Sequence, residues 1–365
     1  MKKKLVAIAV AGLLAAPLVQ AQTANVTIYG RINMDLDFIS SSQDSSLGKV
    51  QRVSSNASRI GFRGTESLGG GLNAIFQIES QFQGDGVYAA GGKPGLLGSR
   101  DTWLGLQGGW GAVKIGHMLT PYDAIQPIFG NAPNGGPVTI LSTGGLWGQW
   151  NMSNANGGFG QRLENAVRYD SPKVAGFQGM LQYSTKEAAS NNGWNGGLGL
   201  FYDNAGLQVA FAYETNQEYR AVDRNDNAYT LAAAYKFGAF RPAAVYEYLE
   251  YEVANGKLKR HMYGASLTMD LGPGKLYGAL LFADKGKGAA GGAIGNIREG
   301  KDTGATMYNL SYTYDLSKRT SVYAGYVYID NKDNATYTFG MNGHGTGVKP
   351  GLTQQGLILG AVHNF

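Results

Sequence analysis

The chain contains no cysteine, so no disulfide framework and no thiolate-held metal supports it, and its stability has to come from backbone hydrogen bonding and packing. After the first nineteen residues there is no second long apolar run, which excludes a bundle of membrane-crossing helices. The four histidines, His117, His261, His344 and His363, are scattered without a His-x-x-x-His spacing, so no zinc site is expected. Glycine runs such as Gly288–Gly295 lack the Lys-Ser/Thr pair and the helix of a phosphate-binding loop, and read as surface loop. A Ser-His-Asp set would need His261, which the local alternation turns outward with Tyr263 and Leu267. No enzyme activity, cofactor or metal is therefore expected.

What is present begins with a leader. Lys2, Lys3 and Lys4 precede an apolar run from Leu5 to Val19, and Val19-Gln20-Ala21 stands before Gln22. This order reads as a secretory signal peptide over 1–21, leaving 22–365 as one domain of 344 residues with no internal boundary. Loss of the three leader lysines takes the net charge from +5 to +2, too little for a nucleic-acid binder. Against 10 prolines stand 56 glycines, with 22 tyrosines and 14 phenylalanines. Many glycines and evenly spaced aromatics predict a large antiparallel β protein.

The hydrophobic residues alternate. In the first segment Ile28, Gly30, Ile32, Met34, Leu36 and Phe38 share one face, and Arg31, Asn33, Asp35 and Asp37 the other. The pattern recurs with Leu72, Ala74, Phe76 and Ile78, with Phe177, Leu181 and Tyr183, with Leu207, Val209, Phe211 and Tyr213, with Tyr229 to Tyr235, and with Tyr308 to Tyr314. The chain ends with Leu357, Leu359, Ala361, His363 and Phe365 on one face. Aromatics near strand ends fit girdles at two membrane boundaries. In lipid every backbone group must be paired, so an open sheet cannot span and a closed barrel can. Two segments resist this reading. Ser321–Asp330 carries aromatics on both faces, and Arg100–Gln107 alternates poorly, as though covered from inside by a folded loop.

Short connections, at Glu66–Gly71, Ser171–Gly176, Asp203–Gly206, Gly272–Gly274 and Asp315–Arg319, contrast with long Gly- and Asn-rich ones at Gly84–Ser99, Gly286–Lys301 and Asn331–Thr353. Short turns on one side and long loops on the other form the outer-membrane barrel layout. The fold class is all-β, a transmembrane antiparallel β-barrel. About sixteen strands fit the length, at roughly 21 residues per strand and connection, and eighteen fit the same arithmetic.

Four segments carry a resemblance: Val26-Thr-Ile-Tyr-Gly-Arg31, Ser58-Arg-Ile-Gly-Phe-Arg-Gly-Thr-Glu66, Leu68-Gly-Gly-Gly-Leu72 and Asn165-Ala-Val-Arg-Tyr-Asp-Ser-Pro-Lys173. Their order, with the leader and the terminal Phe365, resembles the general porins of Gram-negative outer membranes, especially the β-proteobacterial ones, over essentially the whole mature chain. The resemblance implies a sixteen-stranded barrel, a homotrimer among outer-membrane lipid and lipopolysaccharide, and a terminal Phe365 read by the barrel-insertion machinery. It also implies an inward-folded third outer loop, which falls on 119–163, and a basic wall at the narrow zone. The matching basic positions are Arg31, Arg59, Arg100 and Arg162. Alternation by itself places Arg31, Arg59 and Arg63 inward.

The loop carries Tyr122-Asp123-Ala124, but Ala124 to Leu163 contains no Asp or Glu. The acidic side is thus Asp123 or comes from the barrel wall. This departs from the cation-preferring pattern of enterobacterial relatives and favours anions. Arginines keep their charge at ordinary pH, low-dielectric walls focus their field, and rings of Arg favour anions in pores. The bland reading is that Asp35, Asp37, Glu79 or Glu66 neutralises them. The expected function is passive diffusion of small hydrophilic solutes with an anion bias. A selective channel for organic acids or phosphate uses the same arginines and differs by saturating. A surface receptor or adhesin barrel would carry denser aromatic or charged loops than these.

Overall fold

The computed structural model describes residues 25–42, 49–86, 97–130, 139–148, 152, 156–187, 193–253, 255–288, 293–339 and 349–365. The expected leader, 1–21, and His344 lie outside them. The strands are β1 (Asn25–Ser41), β2 (Lys49–Ser55), β3 (Arg59–Gly69), β4 (Leu72–Gln81), β5 (Thr102–Gly108), β6 (Gly111–Leu119), β7 (Arg162–Asp170), β8 (Phe177–Thr185), β9 (Trp194–Asn204) and β10 (Leu207–Gln217). There follow β11 (Asn225–Tyr235), β12 (Phe240–Val253), β13 (Gly256–Leu271), β14 (Gly274–Ala283), a two-residue hairpin β15 (Ala293–Ile294) and β16 (Ile297–Arg298), then β17 (Ala305–Asp315), β18 (Thr320–Asn331) and β19 (Gln354–Asn364).

Outside the small hairpin, each strand pairs antiparallel with its sequence neighbours except that β2 and β3 both pair with β1 and not with each other, and β1 also pairs with β19 from Arg31↔Asn364 to Ser41↔Gln354. The wall therefore closes and leaves no edge. Seventeen segments make this sheet, but β2 and β3 are halves of one wall strand. β3 pairs with Asn25–Arg31 of β1 and β2 with Met34–Ser40. The step between them is held where Asn33 N–H donates to Ser58 Oγ at 3.0 Å and Asn56 N–H donates to Asn33 O at 2.8 Å. The barrel has sixteen strands.

Alternation sets the faces. Ile28, Leu104, Leu181, Leu231, Leu310 and Leu359 stand exposed on the outside, while Asn33, Asp37, Glu79, Glu214 and Glu247 are buried inside. An apolar outer wall of this extent requires hydrocarbon around it. Aromatic neighbours mark its two rims. On the long-loop side Tyr213 and Tyr229 lie 4.9 Å apart and Tyr183 and Trp194 5.6 Å. On the short-turn side Phe177 and Tyr202 lie 4.6 Å apart and Trp110 and Tyr169 6.4 Å.

The turns are tighter than the sequence reading. β3 runs on through Glu66 to Gly69, so the connection expected over Glu66–Gly71 shrinks to residues 70–71. At 205–206 the chain reverses in two residues with φ of +49° and +84°; a Cβ on Gly206 would lie 2.8 Å from Lys236 O, so glycine is needed there.

The two strands that alternated poorly have separate causes. In β18 Tyr323 is the inward aromatic, and its hydroxyl donates to Asn33 Oδ1 at 2.8 Å and Asp35 Oδ2 at 3.2 Å. In β5 alternation begins only at Thr102, since Arg100 and Asp101 precede the strand, and Trp103 takes an inward position. Hydrogen bonds from described residues of 120–161 reach β10, β12 and β13, and Asp123 stands within reach of Arg100 and Asp101, just before β5.

Candidate functional site

The strand registers bring four arginines together. Arg31 of β1 lies directly opposite Arg59 of β3, which lies opposite Gln81 of β4. Two residues from Gln81 on the same inner face, Glu79 takes Arg59 Nε at 3.4 Å and Arg100 Nε at 2.5 Å, and accepts the Tyr29 hydroxyl at 3.0 Å. Arg100 Nη1 also donates to Gln81 Oε1 at 3.2 Å. Arg162, opening β7, pairs with Asp101 at 2.5 Å, and Asp101 also accepts the Leu119 N–H at 3.2 Å. Arg31 is within Coulombic reach of Arg59 and Arg100, and Arg100 of Arg162. Four guanidinium groups thus share one stretch of wall with two carboxylates.

Asp123 sits beside this group, within reach of Arg162, Arg100, Asp101 and Glu214. Its Oδ1 is buried without a hydrogen-bond partner among the described residues. Removal from water pushes its carboxyl up to about 7, against the pull of Arg162. Arg63 is on the same face as Arg59 but four residues nearer the short turns, exposed, with its guanidinium 5.2 Å from the centre of the Tyr29 ring. The structure therefore gathers Arg31, Arg59, Arg100, Arg162 and Asp123, and sets Arg63 apart.

The acids named by the bland reading divide. Glu79 does pair with two of the arginines. Asp37 is taken by Arg52 at 2.8 Å and Asp35 by Tyr323. Glu66 is exposed near the short-turn end of β3, with no arginine bonded to it among the described residues.

Other wall acids hold the segment between β6 and β7. Its base closes where Thr120 N–H donates to Gln161 O at 3.1 Å. Glu214 of β10 accepts from the Thr120 hydroxyl at 2.7 Å, Gly160 N–H at 3.1 Å and Asn195 at 2.9 Å. Glu247 of β12 accepts the Tyr122 hydroxyl and the Gly148 N–H, each at 2.6 Å, and pairs with Arg260 of β13, which donates to Leu146 O at 2.6 Å. A short helix, α1 (Gln126–Phe129), ends at Gly130 with φ +76°. Its carbonyls are met by Arg241, at 2.8 Å to Ile128 O, and by Ser266, at 2.6 Å to Phe129 O. Trp147 and Phe129, both fully buried, meet edge to face at 5.8 Å.

Sequence reasoning missed Glu214, Glu247, Arg260 and Asp101. Alternation already turns the first three inward. Their partners lie far off along the chain and leave no trace in local sequence.

The family of Gram-negative porins, compared as a sequence model, matches residues 6–334. The chain belongs to this family. Outer membrane porin protein 32 of Delftia acidovorans is 28% identical to it over 100% of both chains. An outer membrane porin protein of Bordetella pertussis is 32% identical over 91% of this chain and 95% of its own. Among solved structures, the anion-selective porin from Comamonas acidovorans superposes with a TM-score of 0.78 at 25% identity, over 94% of this porin and 100% of that chain. The barrel is thus a passive channel of the outer membrane, in a family of channels rather than enzymes, and its relatives include β-proteobacterial porins.

Proposed function

We propose that this porin passes small hydrophilic solutes and ions with a preference for anions, and that its narrow zone lies between Arg31, Arg59, Arg100 and Arg162 on one wall and the described residues of 120–161, folded inward, on the other. The carrying observation is the local charge: four arginines against Glu79 and Asp101. The remaining acids near the loop do not restore the balance. Glu214 and Glu247 are fully buried and taken up by loop hydrogen bonds, and burial favours the neutral form of Asp123. An excess of fixed positive charge in a low-dielectric channel concentrates anions. The anion selectivity named for the Comamonas porin supports the same reading. Arg63 belongs to the approach from the short-turn side.

The same reading takes 1–21 as a cleaved leader, 22–365 as the barrel, Phe365 as the contact for the insertion machinery, and a homotrimer among lipid and lipopolysaccharide as the working form. The test is single-channel conductance in potassium chloride and then in potassium phosphate or succinate. Current rising in proportion to concentration for all three is the expected result. Saturation by one of them would replace the general channel with a selective one built on the same arginines.

A further inference from the structure

Trp103 sits where an aqueous wall has no evident use for it. It is half-buried on the inner face of β5, and one row of paired residues runs Thr27↔Arg63↔Gln77↔Trp103 across β1, β3, β4 and β5. Strand spacing puts Arg63 about 10 Å from Trp103 along this row. Opposite Trp103 on β6 stands Gly116, and two residues on along β5 stands Gly105, so neither inward neighbour has a side chain of its own, and Lys114, opposite Gly105, extends into that space. A Cβ at Gly116 would lie 2.8 Å from Trp103 Cα. Lys114 Nζ lies 4.6 Å from the ring centre. Arg63, Gln77, Trp103 and Lys114 line a cavity of about 740 Å³ on the short-turn side of the arginine group, with Gln107 and Gln178 adding amides and Asp170 a carboxylate.

The charge here is also positive. Lys114 and Arg168 share a single carboxylate, Asp170, at 2.7 and 2.9 Å. Arg63 makes no ion pair among the described residues and offers its guanidinium to the lumen. An indole on a cavity wall, with two cations on one carboxylate, a further guanidinium and amides around it, matches a solute with a flat ring and a negative charge. The ring stacks on indole, and the carboxylate takes a bidentate guanidinium or an ammonium.

We propose that the wall around Trp103, with Arg63, Gln77 and Lys114, is a solute station that takes small aromatic carboxylates. It rests on the channel reading above and adds a ligand class at a place separate from the four arginines. Planar bilayers carrying the porin in potassium chloride test it, with benzoate, acetate and neutral benzamide added in turn. Benzoate is expected to halve the chloride current at roughly one-tenth the concentration that acetate needs, and benzamide to leave it unaltered. Trp103→Ala should bring benzoate and acetate to parity, Trp103→Phe should keep most of the preference, and Arg63→Gln should raise the benzoate requirement several-fold. Equal effects of benzoate and acetate on the wild-type porin, or a preference that survives Trp103→Ala, would overturn the proposal while leaving the channel standing. Absence of any potassium chloride conductance would overturn both.

Discussion

Glu247 and Arg260 form an ion pair completely withdrawn from water, and the carboxylate that holds the guanidinium also holds the Tyr122 hydroxyl and the Gly148 N–H. Two points of the segment between β6 and β7 are thereby fixed to two wall strands through one side chain.

Breaking such a pair leaves a buried charge without its partner, at a cost of about 3–5 kcal/mol. Glu247→Gln and Arg260→Met should each loosen the segment. The expected outcome is noisier single-channel current with a raised mean conductance and a lower unfolding temperature in detergent. Glu247→Gln combined with Arg260→Met should be milder than either change alone. Quiet, unchanged currents in the single variants would show that the pair does not set the pore.

Charge removal in the arginine group should lower anion preference. Arg59→Gln and Arg100→Gln are each expected to reduce the chloride-to-potassium permeability ratio by roughly twofold, given the field such walls focus. Asp101→Asn, which strips the partner from Arg162, should raise it. Ratios that stay put in all three variants would assign selectivity elsewhere.

Asp123 gives the porin a pH response. Its carboxyl lies near 7 when folded, because burial outweighs the pull of Arg162 and Arg100, with Asp101 and Glu214 adding to the rise. In the unfolded chain an aspartate titrates near about 4. The folded form therefore loses no stability to this group below about pH 4, loses it progressively up to about 7, and bears the full cost above that. The neutral acid leaves the arginines less opposed, so anion preference should be higher at pH 5 than at pH 8.5. Asp123→Asn should remove that part of the change. Permeability ratios across this range, with and without the substitution, check the sign.

Barrel closure depends on a small residue. Gly30 N–H donates to Phe365 O at 3.0 Å and Phe365 N–H donates to Gly30 O at 3.1 Å. A Cβ on Gly30 would lie 2.4 Å from the Phe365 ring and 2.5 Å from Arg59 O, and backbone cannot yield as a flexible side chain does. Gly30→Val should sharply reduce the folded, heat-modifiable fraction on gels. Gly109→Ala, in a turn where nothing lies within 4 Å, should leave it intact.

The faces of the strands were legible in the sequence because period two records them directly: Arg31 and Arg59 read as inward, and inward they are. Trp103 and Tyr323 misled because each is an aromatic on the wet face, kept there by partners on other strands. The loop seat was illegible for a similar reason. Glu214 and Thr120 are far apart in sequence and meet only in the folded chain. Glycines at 325 and 356 leave room for Leu141 and Ile140, where added Cβ atoms would stand 2.6 and 2.5 Å from their methyls. Alternation tells which way a side chain points, and not what comes across the barrel to meet it.

The reversal potential of the wild-type porin in a planar bilayer under a potassium chloride gradient tests the central claim most directly. The sign of an anion-preferring pore is predicted, from four arginines set against Glu79 and Asp101. The opposite sign would contradict it, showing that the wall acids govern the field in the narrow zone.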